Sequence, residues 1–108
     1  MARILGISGS QRAASQSRQV LRHLLREVEK AGGETHLLDL CEVRLPLLSP
    51  DDDGESPAWE EARRHVLWAD AIALASPDYH GGMSGTVKNF LDHFWGEFTG
   101  RLFGYIVA

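Results

Sequence analysis

Five consecutive apolar residues, Ala71 to Ala75, constrain the fold of this 108-residue chain more than any other feature. An apolar run without alternation suits a strand that is covered on both faces, as in a parallel sheet with helices above and below it. Other strand-like runs lie at residues 4–7, 36–40 and 102–108, and stretches with helical spacing of apolar residues separate them. The order βαβαβαβ predicts right-handed crossovers and an α/β fold built on a doubly wound parallel sheet.

Capping signals bound the three predicted helices. The first begins after Ser15 or Ser17 and ends before two glycines at residues 32–33. The second begins at Ser56-Pro57, and the third runs from Thr86 to about Trp95. The apolar residues that we expect to be buried are Val20, Leu21, Leu24, Leu25 and Val28 in the first helix, Trp59, Ala62, Val66 and Ala69 in the second, and Val87, Phe90, Leu91 and Phe94 in the third.

Composition and charge argue against several classes of function. A net charge of −4, with basic residues scattered along the chain, argues against a nucleic-acid partner. The single cysteine, Cys41, excludes an internal disulfide, and the histidines lack partners at metal spacing, so no metal is expected. The acidic stretch 51–55 has its glycine in the wrong place for a calcium loop and is predicted to be a solvated loop. Without a signal peptide or a membrane-spanning run, we expect no membrane partner and a cytoplasmic location.

The loop after the first strand is rich in groups that bind anions. Between Gly9 and Arg18 there is no carboxylate; the donors are the hydroxyls of Ser10, Ser15 and Ser17 and the guanidinium groups of Arg12 and Arg18. Together with the free amides at a helix start, these groups suit a phosphate. The alternative is an ordinary capped helix after a strand.

The loop after the third strand, Ser76 to Gly85, is rich in glycine and carries an aromatic residue and a histidine. In a sheet of order 2-1-3-4-5 the first and third strands are neighbours, and ligands bind between their carboxyl ends. One loop would then hold a phosphate and the other a flat ring. Tyr79 could instead be a core aromatic, and His80 a turn residue. The first loop matches neither dinucleotide fingerprints nor the P-loop, and FMN, whose dianionic phosphate needs many donors, fits better.

At these two loops the sequence resembles the NADPH-dependent FMN reductase family, flavodoxin-like flavoproteins that include quinone, azo-dye and chromate reductases. The family's first motif, Gly-Ser-x-Arg with a later serine and an arginine, is matched by Gly9, Ser10, Arg12, Ser15 and Arg18. Its second motif is matched by Pro77, Tyr79, His80, Gly81, Gly85, Lys88, Asn89, Leu91 and Asp92. The departures are Ser17 for asparagine, Asp78 for glutamate and Val87 for leucine.

The resemblance implies one flavodoxin-like FMN-binding domain over residues 1–108, with a sheet of order 2-1-3-4-5 that is truncated after strand 4, so we expect a fragment. It implies that hydride passes from NADPH or NADH through FMN to a small acceptor, namely a flavin, quinone, azo compound or metal oxyanion, and that no side chain is strictly catalytic. The cofactor-binding residues that it implies are Ser10, Arg12, Ser15, Gln16 and Ser17 in the first loop and Pro77, Asp78, Tyr79, His80 and Gly81 in the second.

Two alternative functions would share the fold but fit the sequence less well. A flavodoxin-like electron carrier should have a threonine-rich phosphate loop and a strongly acidic surface, which the arginine-containing loop and the modest charge disfavour, and a signalling receiver should have acidic residues where this chain has Ser8-Gly9-Ser10. A non-catalytic flavin-binding module would share the loops and remains an alternative.

The aromatic residues near the end of the third helix bear on assembly. Phe90 and Phe94 suit the core, which leaves Trp95 and Phe98 for a subunit contact. The family resemblance implies a homodimer or a dimer of dimers.

Overall fold

The structure, a computed structural model, describes residues 1–52 and 55–108 of the chain. Its elements in chain order are β1 (Arg3–Ser8), α1 (Gln16–Lys30), β2 (Glu34–Asp39), α2 (Pro57–Trp68), β3 (Ala71–Ser76), α3 (Gly85–His93), a 3₁₀ turn (Gly96–Phe98) and β4 (Leu102–Val107). The predicted order of strands and helices is confirmed. Positions 53 and 54 of the acidic stretch, which we predicted to be part of a solvated loop, lie outside the described residues.

All four strands are parallel, and their order in the sheet is β2-β1-β3-β4. Leu5 in the middle of β1 lies beside His36 of β2 on one side and Ile72 of β3 on the other. β1 and β3 are therefore neighbours, as the doubly wound arrangement requires. Their carboxyl ends lie at the same edge of the sheet, where such folds bind ligands.

Helices cover both faces of this sheet. α1 packs on one face, where Leu21 and Leu25 meet Ala73 and Ala75 of β3. α2 and α3 pack on the other face, where the buried residues are Leu5, Ile7, Leu38, Leu40, Ala62, Val66, Ala69, Ile72, Leu74, Val87, Phe90 and Phe94. Each large apolar side chain buried there contributes about 1.5–3 kcal/mol relative to an exposed one. The coverage of β3 on both faces explains its uninterrupted apolar sequence.

The buried face of α1 is narrower than predicted. Ser17, Leu21 and Leu25 lie in one i, i+4 row and are buried, whereas Val20 is 46% exposed and Leu24 37% exposed. The predicted burial of Val20 and Leu24 is therefore wrong. A single row of side chains is enough to cover the small residues that β3 presents on this face.

The largest differences from the predicted boundaries, two residues each, are at the start of β2 and the end of α3. β2 begins at Glu34 rather than residue 36, because the amide of Glu34 donates to the carbonyl oxygen of Ala2 and starts the pairing before the apolar residues. α3 ends at His93, because Phe94 turns into extended backbone to bring its ring into the core. Both shifts come from tertiary contacts and not from local sequence.

Candidate functional site

The loops that follow β1 and β3 are joined directly at the carboxyl edge of the sheet. The amide of Gly9 donates to the carbonyl oxygen of Ala75 (2.9 Å), and Ser84 Oγ donates to the carbonyl oxygen of Gly9 (2.8 Å). A Cβ at Gly9 would lie 1.9 Å from Val87 Cγ2, so only glycine allows this approach of β1 to α3. The predicted meeting of the two loops is therefore present in the structure.

The first loop places its hydroxyls beneath its surface. Ser10, Ser15 and Ser17 are all buried, whereas Arg12 and Gln16 are exposed. Ser15 is the N-cap of α1: its Oγ accepts from the amide of Arg18 (3.1 Å) and lies 2.9 Å from Ser17 Oγ. Ser10 Oγ accepts from the amide of Arg12 (3.1 Å). The three hydroxyls therefore shape the loop from within.

An anion at this loop would meet a different set of donors. The cap satisfies the amide of Arg18 and leaves the amides of Gln16 and Ser17, which lie at the positive end of the helix dipole, without an acceptor among residues 1–52 and 55–108. The guanidinium group of Arg12 likewise has no acceptor within the described chain. These groups form a donor set of the kind that phosphate requires.

Arg18 does not belong to that set, and our prediction that its guanidinium group is offered to an anion is wrong. Nη1 donates to the carbonyl oxygens of Arg12 (2.8 Å) and Ala13 (3.0 Å), and Nη2 donates to the carbonyl oxygen of Ser10 (2.9 Å). Nη2 also donates to Asp39 Oδ1 (3.2 Å), and Nε lies 2.9 Å from Asp39 Oδ2. Asp39 supplies a carboxylate from the end of β2, which no inspection of the loop sequence itself reveals.

The second loop contains a two-residue turn between Tyr79 and Gly82, whose backbones exchange two hydrogen bonds of 3.0 Å. His80 and Gly81 at its centre have φ angles of +55° and +77°, as a type I′ turn requires. His80 is therefore a turn residue, as one of the alternatives held. Tyr79 is 54% exposed, so its alternative role as a core aromatic is wrong.

A cavity of about 350 Å³ opens beside this turn, between the ends of β3 and β4. Its lining residues are Ser76, Pro77, Asp78, Gly81, Gly82, Met83, Tyr105 and Val107. Three of the five residues predicted for this loop line it, namely Pro77, Asp78 and Gly81, whereas Tyr79 and His80 do not. The first-loop residues lie outside the lining. Apolar side chains and glycine backbone make this cavity suitable for a flat ring.

Sequence reasoning missed the contribution of β4 to this cavity. Tyr105 and Val107 alternate along β4 and reach the cavity because β4 pairs with β3 in register, Leu74 lying beside Tyr105 and Ser76 beside Val107. The parallel order of the strands could have indicated this contribution of β4, because the strand next to β3 ends at the same edge of the sheet. Met83 was missed because it stands between Gly82 and Ser84 in a loop with no periodic pattern.

Among the described residues, 1–52 and 55–108, no three histidine, cysteine, aspartate or glutamate side chains lie together as potential metal ligands. None of the helices that the described residues form has the length and apolar character needed to cross a membrane.

Comparisons with known proteins give a consistent result. The family model of the NADPH-dependent FMN reductases matches residues 2–108. The rice (Oryza sativa subsp. japonica) protein named "Probable NADPH:quinone oxidoreductase 2" is 38% identical over 99 residues, which cover 88% of this chain and 47% of that protein. The NADPH-dependent FMN reductase ArsH of Shigella flexneri is 34% identical over 98 residues, which cover 91% of this chain and 38% of that protein. The chain thus spans less than half the length of these two curated relatives.

Solved structures share the fold. The flavoenzyme NAD(P)H:(acceptor) oxidoreductase FerB of Paracoccus denitrificans superposes with a TM-score of 0.81 at 21% identity, over 99% of this chain and 60% of that one. This likeness confirms the predicted flavodoxin-like fold over the four strands.

Proposed function

This chain belongs to the NADPH-dependent FMN reductase family, and from that premise we propose that it binds FMN where the loops after β1 and β3 meet. The observation that carries the proposal is the direct hydrogen bonding, through Gly9 and Ser84, between the loop that leads into α1 and the glycine-rich loop beside the cavity. An anionic group and a flat ring of one ligand need these two features side by side. The donor set of the first loop and the apolar lining of the cavity fit such a ligand.

Within this proposal the predicted residues divide into two roles. Direct contact with the phosphate falls to the exposed side chains of Arg12 and Gln16 and to the amides of Gln16 and Ser17, which have no acceptor among the described residues. The ring and ribityl chain lie against the cavity loop, whose predicted residues are Pro77, Asp78, Tyr79, His80 and Gly81. The buried hydroxyls of the first loop, those of Ser10, Ser15 and Ser17, hold the loop in shape.

The proposed activity is that of an NAD(P)H-dependent oxidoreductase with a small-molecule acceptor. When bound, FMN supplies the hydride chemistry between a reduced nicotinamide and the acceptor. The chain binds and orients the cofactor, and no acid or base from the described residues is needed. Among the acceptors considered, a flavin, a quinone, an azo compound or a metal oxyanion, the name of the rice relative favours a quinone. A cytoplasmic location, with its supply of NAD(P)H, accompanies this proposal.

We also propose that the protein forms a homodimer. Trp95 is 92% exposed, and exposed aromatic side chains are favoured at subunit contacts. Phe98, which we grouped with it, instead packs against the core and against Phe103. Light scattering at micromolar concentration, compared with that of Trp95→Ser, tests this part; a wild-type monomer contradicts it.

The cofactor proposal is tested by titrating FMN and riboflavin, which lacks the phosphate, into the purified chain and following flavin fluorescence. FMN is expected to bind more tightly than riboflavin, and Arg12→Gln to weaken FMN by about tenfold, the equivalent of one charge-assisted hydrogen bond. Arg26→Gln on the exposed side of α1 is the matched control and leaves the affinity unchanged. In a separate measurement inorganic phosphate is added and its effect on the amide signals of the first loop is followed. Absence of FMN binding, together with absence of that effect, refutes the proposal.

A further inference from the structure

The side chain of Arg18 lies at the centre of the first loop and is turned away from solvent. Its side chain is 7% exposed, and that of Asp39, with which it pairs side by side, is 12% exposed. Four N–H groups donate hydrogen bonds, one to Asp39 and three to the carbonyl oxygens of Ser10, Arg12 and Ala13. Asp39 is itself fixed, because its Oδ1 also accepts from the amide of Cys41 (3.0 Å). Asp39 at the end of β2 thus fixes the guanidinium group of Arg18, which in turn fixes the backbone of the first loop.

The direction of the loop carbonyls determines the direction of the loop amides. In a trans peptide the carbonyl of one residue and the N–H of the next point in opposite directions. The three carbonyls turned inward to Arg18 therefore turn the amides of Gln11, Ala13 and Ala14 away from it. Those of Ala13 and Ala14 are consecutive, and consecutive outward amides form the concave arrangement that binds anions.

The Asp39–Arg18 ion pair also determines the net charge of the first loop. Arg18 carries a positive charge that Asp39 balances inside the protein, so the buried part of the loop is neutral. The positive charge of Arg12 is the one that the loop presents to solvent. An anion therefore meets these outward amides, the amides of Gln16 and Ser17 at the start of α1, and the guanidinium group of Arg12.

We infer that the Asp39–Arg18 pair is a positioning device for the phosphate of the cofactor: it sets the affinity for the phosphate group without contacting it. This inference rests on the proposed function, because it concerns the same site. Lysine cannot replace arginine here, since a single ammonium group lacks the planar fork that reaches a carboxylate and three separate carbonyls.

The test compares Arg18→Lys and Asp39→Asn with the wild-type chain, and uses Arg22→Lys, an exposed residue one turn further along α1, as the matched control. The first readout is the ratio of FMN to riboflavin affinity, which a general loss of stability does not change. The second is the movement of the ¹⁵N–¹H signals of residues 11–17 on addition of inorganic phosphate. The third is amide hydrogen exchange of residues 11–14 in the ligand-free protein.

We expect both variants to lower the affinity ratio by about tenfold, to weaken the phosphate-induced shifts and to speed exchange in the loop, whereas Arg22→Lys does none of these. Asp39→Asn keeps the size of the side chain and remains informative if Arg18→Lys folds poorly. If both variants keep the wild-type ratio of FMN to riboflavin affinity and the wild-type phosphate-induced shifts, the inference is overturned and the proposed function stands. If the wild-type chain shows neither FMN binding nor phosphate-induced shifts, the proposed function fails and the inference fails with it.

Discussion

Ser84 Oγ donates a 2.8 Å hydrogen bond to the carbonyl oxygen of Gly9, across a sequence separation of 75 residues. The same hydroxyl caps α3 by accepting from the amide of Val87 (3.1 Å), and the amide of Ser84 donates to Ser76 Oγ (2.9 Å). One buried serine therefore fastens the end of β1, the end of β3 and the start of α3. The two ligand loops are positioned by a common residue and not by separate ones.

Replacement of Ser84 by alanine is expected to cost more than the loss of an ordinary helix cap. The cap alone is worth about 1 kcal/mol, and the hydrogen bond to Gly9 adds about 1 kcal/mol more because the carbonyl is left buried. Ser56→Ala is the matched control, since Ser56 caps α2 through the equivalent bond to the amide of Trp59. Urea unfolding measures both; equal losses of free energy of unfolding show that the bond between the loops contributes nothing.

Substitution of Gly9 tests how closely β1 approaches α3. In Gly9→Ala the new Cβ falls 1.9 Å from Val87 Cγ2, so α3 must move, at a cost of about 2–3 kcal/mol in the free energy of unfolding. Gly85→Ala, whose Cβ meets nothing within 4 Å, serves as the control and stays within about 0.5 kcal/mol of wild type or gains stability. Val87→Ala is expected to cost less in the Gly9→Ala background than in the wild type. Full additivity of the two substitutions contradicts the proposed clash.

The order of the elements could be predicted because it depends on local periodicity and capping, and β3 shows why. Its apolar sequence is typical of a strand that is buried on both faces, as in a covered parallel sheet. The role of Arg18 could not be predicted, because its partner Asp39 comes from another strand and its other acceptors are backbone carbonyls, which every residue has. The same limit applies to Tyr105, which reaches the cavity through strand pairing alone.

His80 provides a test of the turn that borders the cavity. Its φ of +55° lies in the left-handed region, where β-branched residues are strained by about 1–2 kcal/mol and asparagine is well tolerated. We therefore expect His80→Val to lower the free energy of unfolding by about that amount and His80→Asn to leave it unchanged or slightly raised. Thermal and urea unfolding of the pair measure this. Equal stability of the two variants contradicts the assignment of a type I′ turn.

His36 of β2 and His65 of α2 stack with their ring centroids 3.7 Å apart and their planes 7° from parallel. Burial lowers the pKa of His36 below its ordinary value of 6.5, the neighbouring His65 and Arg64 lower it further, and Glu61 opposes them. In the folded protein His36 is thus harder to protonate than in the unfolded chain. Between the two pKa values the unfolded chain binds more protons, so acidification favours unfolding.

The stability of the contact between β2 and α2 should therefore depend on pH through His36. As the pH falls through 6.5 the free energy of unfolding is expected to decrease, and the decrease should level off below the pKa of His36 in the folded protein. His36→Gln removes this part of the pH dependence, whereas His23→Gln, on the exposed side of α1, keeps it. Urea unfolding at a series of pH values between about 5 and 8, where histidine titrates, measures the slope. A slope that is identical in His36→Gln and in wild type would show that the stacked pair does not couple protonation to folding.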